Sequence, residues 1–259
     1  LKLFGVSWGL FPSIQAAWVM TSESWFKPNN IVNFVKVNAG FDISGNDDLD
    51  CLASRSYFGA TRILNSAGGL VLSNIGNTSL QWETTQRLTA GLDANLFNNT
   101  LNVSINYFNA TTDNLLSMKK LKYVGGIDRI WSNDGSLLNH GTDFSFKYRL
   151  LNAKAVKMEI GASVAHYKNK VKSLPEGVDS YITEMYSGAV LTKVGSSLGE
   201  FYGYKTNGVY STTDQAQADG KYIVLKNGDK KYFKAGDMNF VTTNDAEVNE
   251  ADKVVIGNP

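Results

Sequence analysis

Residues that could perform catalysis or hold a metal are few in this sequence and widely spaced. The two histidines, His140 and His166, have no cysteine or carboxylate cluster beside them, so their spacing does not predict a zinc site. Cys51 is the only cysteine, which excludes an internal disulfide, and its surroundings predict an inert thiol. No G-x-S-x-G elbow marks a nucleophilic serine. We therefore predict that the chain is not an enzyme and that it holds no cofactor or metal.

Binding is the chemistry that the residue types favour instead. Aromatic rings with polar neighbours, in segments between regular elements, can grip sugar rings or the side chains of peptides. The residues predicted to contact a substrate in this way are Tyr123, Asp128, Trp131, Tyr202 and Tyr204. The alternative is that these rings pack against a partner protein or against one another.

The elements that would position such residues are β-strands, since hydrophobicity alternates over long stretches. From Leu88 to Leu96 and again from Leu101 to Tyr107, every second residue is apolar and the residues between are small or polar. Successive side chains of a strand point to opposite faces, so this stretch predicts a hairpin with one apolar and one wet face.

Two further hairpins show the same alternation, and each arm runs about nine to eleven residues, which is the length of a tilted membrane-crossing strand. The three predicted hairpins cover about 9–44, 84–112 and 140–168. Two of them close tightly, around Asn98-Asn99 and around Asn152. Long connecting segments, about 45–82, 111–139 and 169–259, separate or follow the hairpins. Short turns at one end and long loops at the other are typical of outer-membrane β-barrels, in which the long loops are extracellular.

Soluble β-sandwiches also alternate, so periodicity alone leaves both architectures open. The chain has a net charge of +1 and no basic run, which gives no electrostatic basis for binding nucleic acid. No run of 18 apolar residues exists, so no membrane-spanning helix is predicted. The Gly-, Asn-, Ser- and Thr-rich wet face and the long arms favour a barrel, as do aromatics such as Trp18, Trp25, Phe97, Tyr107 and Phe108 at predicted strand ends.

In a barrel, the two faces of each hairpin would meet different surroundings. The residues predicted to line the water-filled lumen are Asp93, Asn95, Asn102, Ser104, Asn106, Lys147 and Arg149. The residues predicted to point away from the lumen are Leu92, Ala94, Val103, Ile105, Phe146 and Ile160.

Several short motifs resemble those of SusC-like TonB-dependent outer-membrane transporters, in the same order along the chain. They are GLFPS at 9–13 with AAW at 16–18, VNAGFDISGN at 37–46, LQWETT at 80–85, YFNATTDNLL at 107–116, NDGS at 133–136 with NHG at 139–141, FYGYKTNGVY at 201–210, AGD at 235–237 and IGNP at 256–259. The resemblance implies an all-β fold, namely part of a large antiparallel transmembrane β-barrel from the C-terminal portion of such a transporter. We expect the chain to be a fragment that lacks the plug domain.

The resemblance also implies a function and partners. The whole transporter would import oligosaccharides or oligopeptides across the Gram-negative outer membrane, with a SusD-like lipoprotein as its lid. TonB would act through a plug and TonB box that are not in this chain, and the other partners would be the remaining segments of the barrel and outer-membrane lipid.

The sequence departs from the family where a calcium-loop-like run often follows the GD pair. Residues 242–248 read TTNDAEV, in which a threonine replaces an aspartate and the turn glycine is absent, so we predict a solvated acidic turn. Two other functions are open: a lid-independent TonB-dependent receptor for a siderophore or cobalamin, and a soluble β-sandwich adhesin or carbohydrate-binding module. The FYGYKTNGVY and WETT motifs argue against the first of these.

Overall fold

The computed structural model describes residues 8–27, 29–50, 52–63, 67–121, 127, 129–153, 156–186, 188–243 and 246–258. The chain divides into two compact units, Leu1–Val178 and Asp179–Pro259. The strands of the first unit are β1 (Ser13–Val19), β2 (Val32–Asn46), β3 (Tyr57–Ile63), β4 (Ala67–Asn74), β5 (Glu83–Leu96), β6 (Leu101–Asp113), β7 (Ser117–Lys120), β8 (Arg129–Ser132), β9 (Ser136–Asn152) and β10 (Lys157–Ser173), with a 3₁₀ helix at Met20–Ser22.

The first unit is built on a six-stranded antiparallel sheet in the order β1-β2-β5-β6-β9-β10. Residues paired across neighbouring strands point to the same face, so the register defines both faces of the sheet. One row runs from Lys36 through Asp93, Ser104 and Ser145 to Ser163. We call the face that carries this row the polar face and the opposite one the apolar face. The prediction of an all-β antiparallel fold is confirmed.

The apolar face is exposed although it is hydrophobic. Ile14 is 71% exposed, Val164 is 67% exposed and Ile105 is 43% exposed. The register places all six residues predicted to point away from a lumen on this face. Leu92 pairs with Ile105, and Ala94 pairs with Val103, which pairs in turn with Phe146. Ile160 lies two residues from Ala162, the partner of Phe146, and so points to the same face. A soluble sandwich would cover these side chains with a second sheet, so exposure on this scale argues against one.

The apolar side chains that are buried are correspondingly few. Among the residues that the structure describes, the large side chains with less than 2% exposure are Leu80 and Val171. The sheet is therefore held together by its ladders of backbone hydrogen bonds, from β1 to β10, and not by a central hydrophobic core. Such an arrangement is suited to lipid, where every backbone polar group must find a partner within the protein.

The two ends of the sheet carry connections of different length. At one end, β5 joins β6 through residues 97–100, and β9 joins β10 through residues 153–156. At the opposite end, the connections 47–82 and 114–135 are long, and each contains a small hairpin, β3–β4 and β7–β8 respectively. The strands β2, β5, β9 and β10 contain 14 to 17 residues. They are longer than the predicted nine to eleven, because their polar ends continue pairing beyond the apolar stretch.

The tight turn after β5 has an unusual backbone that its sequence permits. Phe97, Asn98 and Asn99 have φ values of 54°, 55° and 61°, in the left-handed region that asparagine tolerates better than most residues. The amide of Thr100 donates to the carbonyl of Phe97 at 3.1 Å. The structure thus brings β6 straight back alongside β5.

Aromatic residues gather near this short-turn end. The rings of Trp18 and Trp25 lie 6.1 Å apart, and Trp18 Nε1 donates to Glu23 at 2.8 Å. Amphipathic indole rings of this kind are enriched at membrane–water boundaries. Two aromatics predicted at strand ends lie elsewhere: Tyr107 and Phe108 fall in the middle of β6, since the strand continues to Asp113.

The second unit has strands of its own, although the sequence alone predicted a long loop over 169–259. They are β11 (Ser180–Met185), β12 (Gly188–Lys193), β13 (Glu200–Tyr204), β14 (Thr206–Val209), β15 (Tyr222–Val224), β16 (Lys230–Tyr232), β17 (Met238–Phe240) and β18 (Lys253–Gly257). The α-helix α1 (Thr213–Asp219) and a 3₁₀ helix (Glu250–Asp252) complete it. These strands form a four-stranded sheet, β11-β12-β13-β18, and two-stranded sheets β14-β17 and β15-β16.

Helix α1 begins and ends at well-defined caps. The Thr212 side chain accepts the amide of Gln215, and Gly220 closes the helix in the left-handed conformation with φ of 66°. In the described part of the chain, no helix is both long and apolar enough to span a bilayer.

A close approach between strands makes Gly141 sensitive to substitution. A Cβ atom there would lie 2.5 Å from Tyr167 Cδ1 and 2.8 Å from the backbone oxygen of His166. We expect Gly141→Ala to lower the free energy of unfolding by about 1–3 kcal/mol, because the β9–β10 pairing must shift. The midpoint of thermal unfolding of the purified protein measures the effect. The control is Gly188→Ala, since no atom lies within 4 Å of its added Cβ. Equal midpoints for the two variants would contradict the packing argument.

Candidate functional site

The strongest candidate for a functional surface is a shallow depression of about 470 Å³ on the polar face of the six-stranded sheet. Its polar lining consists of Asp93, Asn95, Asn102, Ser104, Ser145, Lys147 and Ser163. Five of these seven belong to the set that the sequence predicted to line a lumen.

Strand register explains why these residues meet. Asn95 lies opposite Asn102, which lies opposite Lys147, so one row of amides ends at an ammonium group. Asp93, Ser104, Ser145 and Ser163 form the adjacent row, two residues along each strand. The period of two thus converts a sequence alternation into a continuous hydrogen-bonding surface.

Two ion pairs cross neighbouring strands on the polar face. Lys36 Nζ lies 2.8 Å from Asp93 Oδ2, and the Ser104 hydroxyl donates to Asp93 Oδ1 at 2.8 Å. Arg149 Nε donates to Glu159 at 2.9 Å. Lys147 is exposed and has no ion-pair partner among the described residues. Its ammonium group is therefore available to bind a carboxylate or hydroxyl oxygen of a bound molecule.

The next row shows how small residues allow polar groups to crowd together. Asn106 Nδ2 donates to Asp143 Oδ1 at 3.3 Å. A Cβ atom at Gly91, between Asn38 and Asn106, would lie 2.5 Å from Asn106 Oδ1 and 2.8 Å from the Asn38 amide group. Glycine is therefore the residue that fits this position.

The described residues among those predicted to contact a substrate, Trp131, Tyr202 and Tyr204, are divided between the two units. Tyr123 and Asp128 lie outside the described residues. Trp131 is on β8 of the first unit, where its backbone oxygen accepts the Asn77 side-chain amide at 2.9 Å. It lines a second depression, of about 300 Å³, together with Met118 and Ile130.

Tyr202 and Tyr204 are on β13 of the second unit, and Tyr204 is engaged in packing. Its ring centroid lies 5.4 Å from that of Phe240, and Lys253 Nζ lies 5.4 Å from its centroid. Burial, followed by the charge of Glu250, raises the pKa of Tyr204 above its ordinary value. The neighbouring Tyr202 is half-buried and pairs with Ala189 and Val255.

The FYGYKTNGVY motif ends in a residue with a structural role. Tyr210 is buried, and its hydroxyl donates to Asp219 Oδ2 at the end of α1. Burial first, and then this carboxylate, raises the pKa of Tyr210 to about 12. Lys221 Nζ lies 3.0 Å from the same Asp219 oxygen, and it donates to the Phe240 carbonyl at 2.7 Å. This network ties α1 to β17.

Near the segment 242–248, which was compared with a calcium loop, the buried carboxylate of Asp252 accepts hydrogen bonds from the protein itself. Asp252, 6% exposed, accepts the amide of Thr243 at 2.9 Å, the Thr243 hydroxyl at 3.1 Å and the amide of Asn249 at 3.0 Å. Asn244 and Asp245 lie outside the described residues, and the described ones contain no group of three His, Cys, Asp or Glu able to hold a metal.

The set of lumen-lining residues predicted from the sequence omitted several polar-face residues, among them Lys36, Asp143, Ser145, Glu159 and Ser163. The alternation of polar and apolar residues could have identified these residues, since each falls on a polar position of an alternating strand. The alternation does not show which strands are neighbours, so the residues opposite Asp93 and Arg149 could not be named from the sequence.

Comparisons with known proteins place the chain among outer-membrane receptors. No protein-family model matches the sequence. The chain is 27% identical over 260 residues to TonB-dependent receptor P3 of Formosa agariphila, covering 97% of this chain and 25% of the relative.

It is 31% identical over 203 residues to TonB-dependent receptor P39 of the same organism, covering 78% of this chain and 19% of the relative. TonB-dependent receptor SusC of Bacteroides thetaiotaomicron is 26% identical over 260 residues, which cover 89% of this chain and 25% of SusC. The chain thus spans about a quarter or less of the length of these relatives.

Solved structures show the same fold. The RagAB peptide importer in its open-open state aligns with a TM-score of 0.71 and 21% identity, over 93% of this chain and 26% of that chain. The RagAB peptide transporter aligns with a TM-score of 0.69 and 21% identity, over 89% of this chain and 26% of that chain. The prediction of a partial, unclosed antiparallel barrel is confirmed.

The ion pair on the polar face gives a testable coupling. In a double-mutant cycle of Lys36→Gln and Asp93→Asn, we expect a coupling energy below about 1 kcal/mol, because both side chains are about one-third exposed and screened by solvent. Denaturant unfolding of the four proteins measures it. A coupling of several kcal/mol would contradict the description of this face as solvated.

The Asp252 carboxylate gives a pH prediction for the second unit. The backbone amides of Asn249 and Thr243 lower the pKa of Asp252 below its ordinary value of 3.8. A lowered folded-state pKa means that the stabilisation is present above pH 3.8 and is lost as pH falls through the folded-state pKa. We expect hydrogen exchange at the Thr243 and Asn249 amides, corrected for intrinsic rates, to accelerate as the pH is lowered below 3.8.

Asp252→Asn should accelerate the same exchange already at neutral pH, since it leaves donors unsatisfied at a cost of about 1–3 kcal/mol. Glu250→Gln is the control, because this side chain is 83% exposed and pairs with Lys253 at the surface. If exchange in Asp252→Asn matched that in the control, the capping role of Asp252 would be wrong.

Proposed function

We propose that this chain, which belongs to the family of SusC-like TonB-dependent receptors, serves nutrient import. It forms part of an outer-membrane β-barrel and is not an enzyme. In the whole receptor, the six-stranded sheet supplies barrel wall, its polar face supplies lumen lining, and the segments at the long-connection end supply extracellular surface. The cargo is an oligosaccharide or an oligopeptide.

The observation that carries this proposal is the pairing of an exposed apolar face with a polar face on the same strands. Ser163 lies in the polar depression, whereas the next residue, Val164, is 67% exposed on the apolar face. A sheet with both faces exposed and of opposite character fits a wall between lipid and water. In a soluble adhesin or carbohydrate-binding module, the apolar face would be covered, which is why we set that alternative aside.

The chemistry of the polar face suits neutral, hydrogen-bonding cargo. Hydroxyl and amide groups of Asn102, Ser104 and Ser163 can exchange hydrogen bonds with sugar hydroxyls or peptide groups alike. Lys147 adds a cation that can receive a peptide carboxylate or an acidic sugar. RagAB, the solved structure with the same fold, is named a peptide importer, which supports the peptide cargo.

We propose two protein partners on the basis of the family. A SusD-like lipoprotein forms a lid over the extracellular end, and TonB acts through a plug. The alternative within the same fold, a lid-independent receptor for a siderophore or cobalamin, is less favoured because the matched relatives include SusC and RagAB.

The adjacent residues Ser163 and Val164 allow a matched test of the transport path. In cells that express the full-length receptor, we expect Ser163→Trp to lower uptake of labelled oligosaccharide or oligopeptide, because a large ring enters the lumen. Val164→Trp should leave uptake unchanged, because the ring enters lipid. Receptor abundance in the outer membrane is measured for both, so that loss of folding is recognised.

Unchanged uptake in both variants would contradict the assignment of this face to the transport path. Loss of uptake only in Val164→Trp would reverse the assignment of the two faces. Co-purification of a lipoprotein with the tagged receptor in detergent tests the lid separately. Recovery of the receptor without such a lipoprotein would favour the lid-independent alternative.

A further inference from the structure

The apolar face has a sharp boundary on β10. Its outward positions are apolar from Met158 through Ile160 and Ala162 to Val164. The next three outward positions are His166, Lys168 and Lys170, and all three are exposed. We call these three residues the basic strip.

The neighbouring strands change character at the same level. Val164 lies opposite Phe144, which lies opposite Ile105, and this row is entirely apolar. The next row, His166, Thr142 and Tyr107, is mixed, and the row after it contains Lys168, His140 and Asn109. The switch therefore crosses β10, β9 and β6 in register, while the same row remains apolar on β5, β2 and β1, at Leu88, Phe41 and Ile14. Because barrel strands are tilted to the membrane, a boundary that lies at different rows on different strands is expected where a barrel wall leaves the hydrocarbon and enters the headgroup layer.

From this boundary, the basic strip extends toward the end of the sheet that carries the long connections. β10 runs from the short-turn end at Lys157 to the long-connection end at Ser173, and the basic strip occupies its second half. Tyr107, at the boundary row, is a residue type favoured at the interface because its ring is amphipathic.

We propose that the basic strip binds the phosphate-bearing headgroups of anionic lipids at this edge of the membrane. Lysine side chains that flank a hydrocarbon-facing surface extend their ammonium groups into the headgroup layer while their methylene chains remain over apolar surface. The imidazole of His166 lies one row nearer the apolar stretch and can donate a hydrogen bond to the same phosphate oxygens.

Charge complementarity supports an anionic occupant. Neither Lys168 nor Lys170 has an ion-pair partner in the part of the chain that the structure describes. Among the paired positions of this face on β6, β9 and β10, the carboxylate is that of Asp113 on β6, which accepts a hydrogen bond from Ser136. The two ammonium groups therefore face outward without a neighbouring carboxylate on β9 or β10.

Lipid selectivity of the full-length receptor tests this proposal. The receptor is reconstituted in phosphatidylcholine vesicles that contain trace spin-labelled phosphatidylglycerol or spin-labelled phosphatidylcholine, and the immobilised fraction of each label gives their relative association. We expect a preference for phosphatidylglycerol of about fivefold at low salt, which is the effect of roughly one lysine near an anionic headgroup. The preference should shrink as salt screens the charges.

The variant K168Q/K170Q should lose most of this preference, and K226Q/K231Q is the matched control. Lys226 and Lys231 are exposed residues of the second unit, and their replacement removes the same charge. The absence of a preference in the wild-type receptor, its persistence at high salt, or equal preferences in the two variants would each overturn the proposal. Loss of lipoprotein binding in K168Q/K170Q with unchanged lipid selectivity would also overturn it, because the strip would then serve a protein partner.

Discussion

Backbone hydrogen bonding between neighbouring strands is the interaction on which the rest of this structure depends. A strand in lipid has no water to satisfy its amides and carbonyls, so each group must pair with an adjacent strand. From β1 to β10 the sheet meets this requirement with continuous antiparallel ladders. Side chains are then free to serve two different surroundings, because the ladder and not a packed core provides cohesion. This freedom explains how Ile14 and Val164 can remain exposed while few large side chains are buried.

The polar face of the sheet carries side chains suited to contact with water. Two ion pairs, Lys36–Asp93 and Arg149–Glu159, cross its strands, and its glycines make room for amides and rings to approach. Such a surface offers many weak hydrogen-bonding positions and few strong charges, so a polar solute can bind without being held. The second unit is organised differently, by short strands and buried polar contacts such as Tyr210–Asp219 and Asp252–Thr243.

Much of the first unit could be predicted from the sequence, since a period of two is a direct consequence of strand geometry. The alternation around Leu92, Asp93 and Ser104 identified both faces before any pairing was known. Strand length could not be predicted in this way, because backbone pairing continues beyond the alternating apolar stretch, as it does in β10 from His166 to Ser173. The second unit was misjudged as a loop, since its strands have three to six residues and give too little periodicity to detect. Aromatic residues such as Tyr204 looked available for ligands because a sequence does not show ring packing like that against Phe240.

Alternate residues on β6 should face opposite environments, and site-directed spin labelling measures those environments directly. Cysteines placed one at a time from Leu101 to Asn109 in the full-length receptor, with Cys51 replaced, would carry a nitroxide whose collisions with oxygen and with a water-soluble nickel complex are compared in vesicles. We expect a period of two, with labels at Val103 and Ile105 accessible to oxygen and labels at Asn102 and Ser104 accessible to nickel. Equal accessibility on both faces, or labels at Val103 and Ile105 shielded from both reagents, would contradict it.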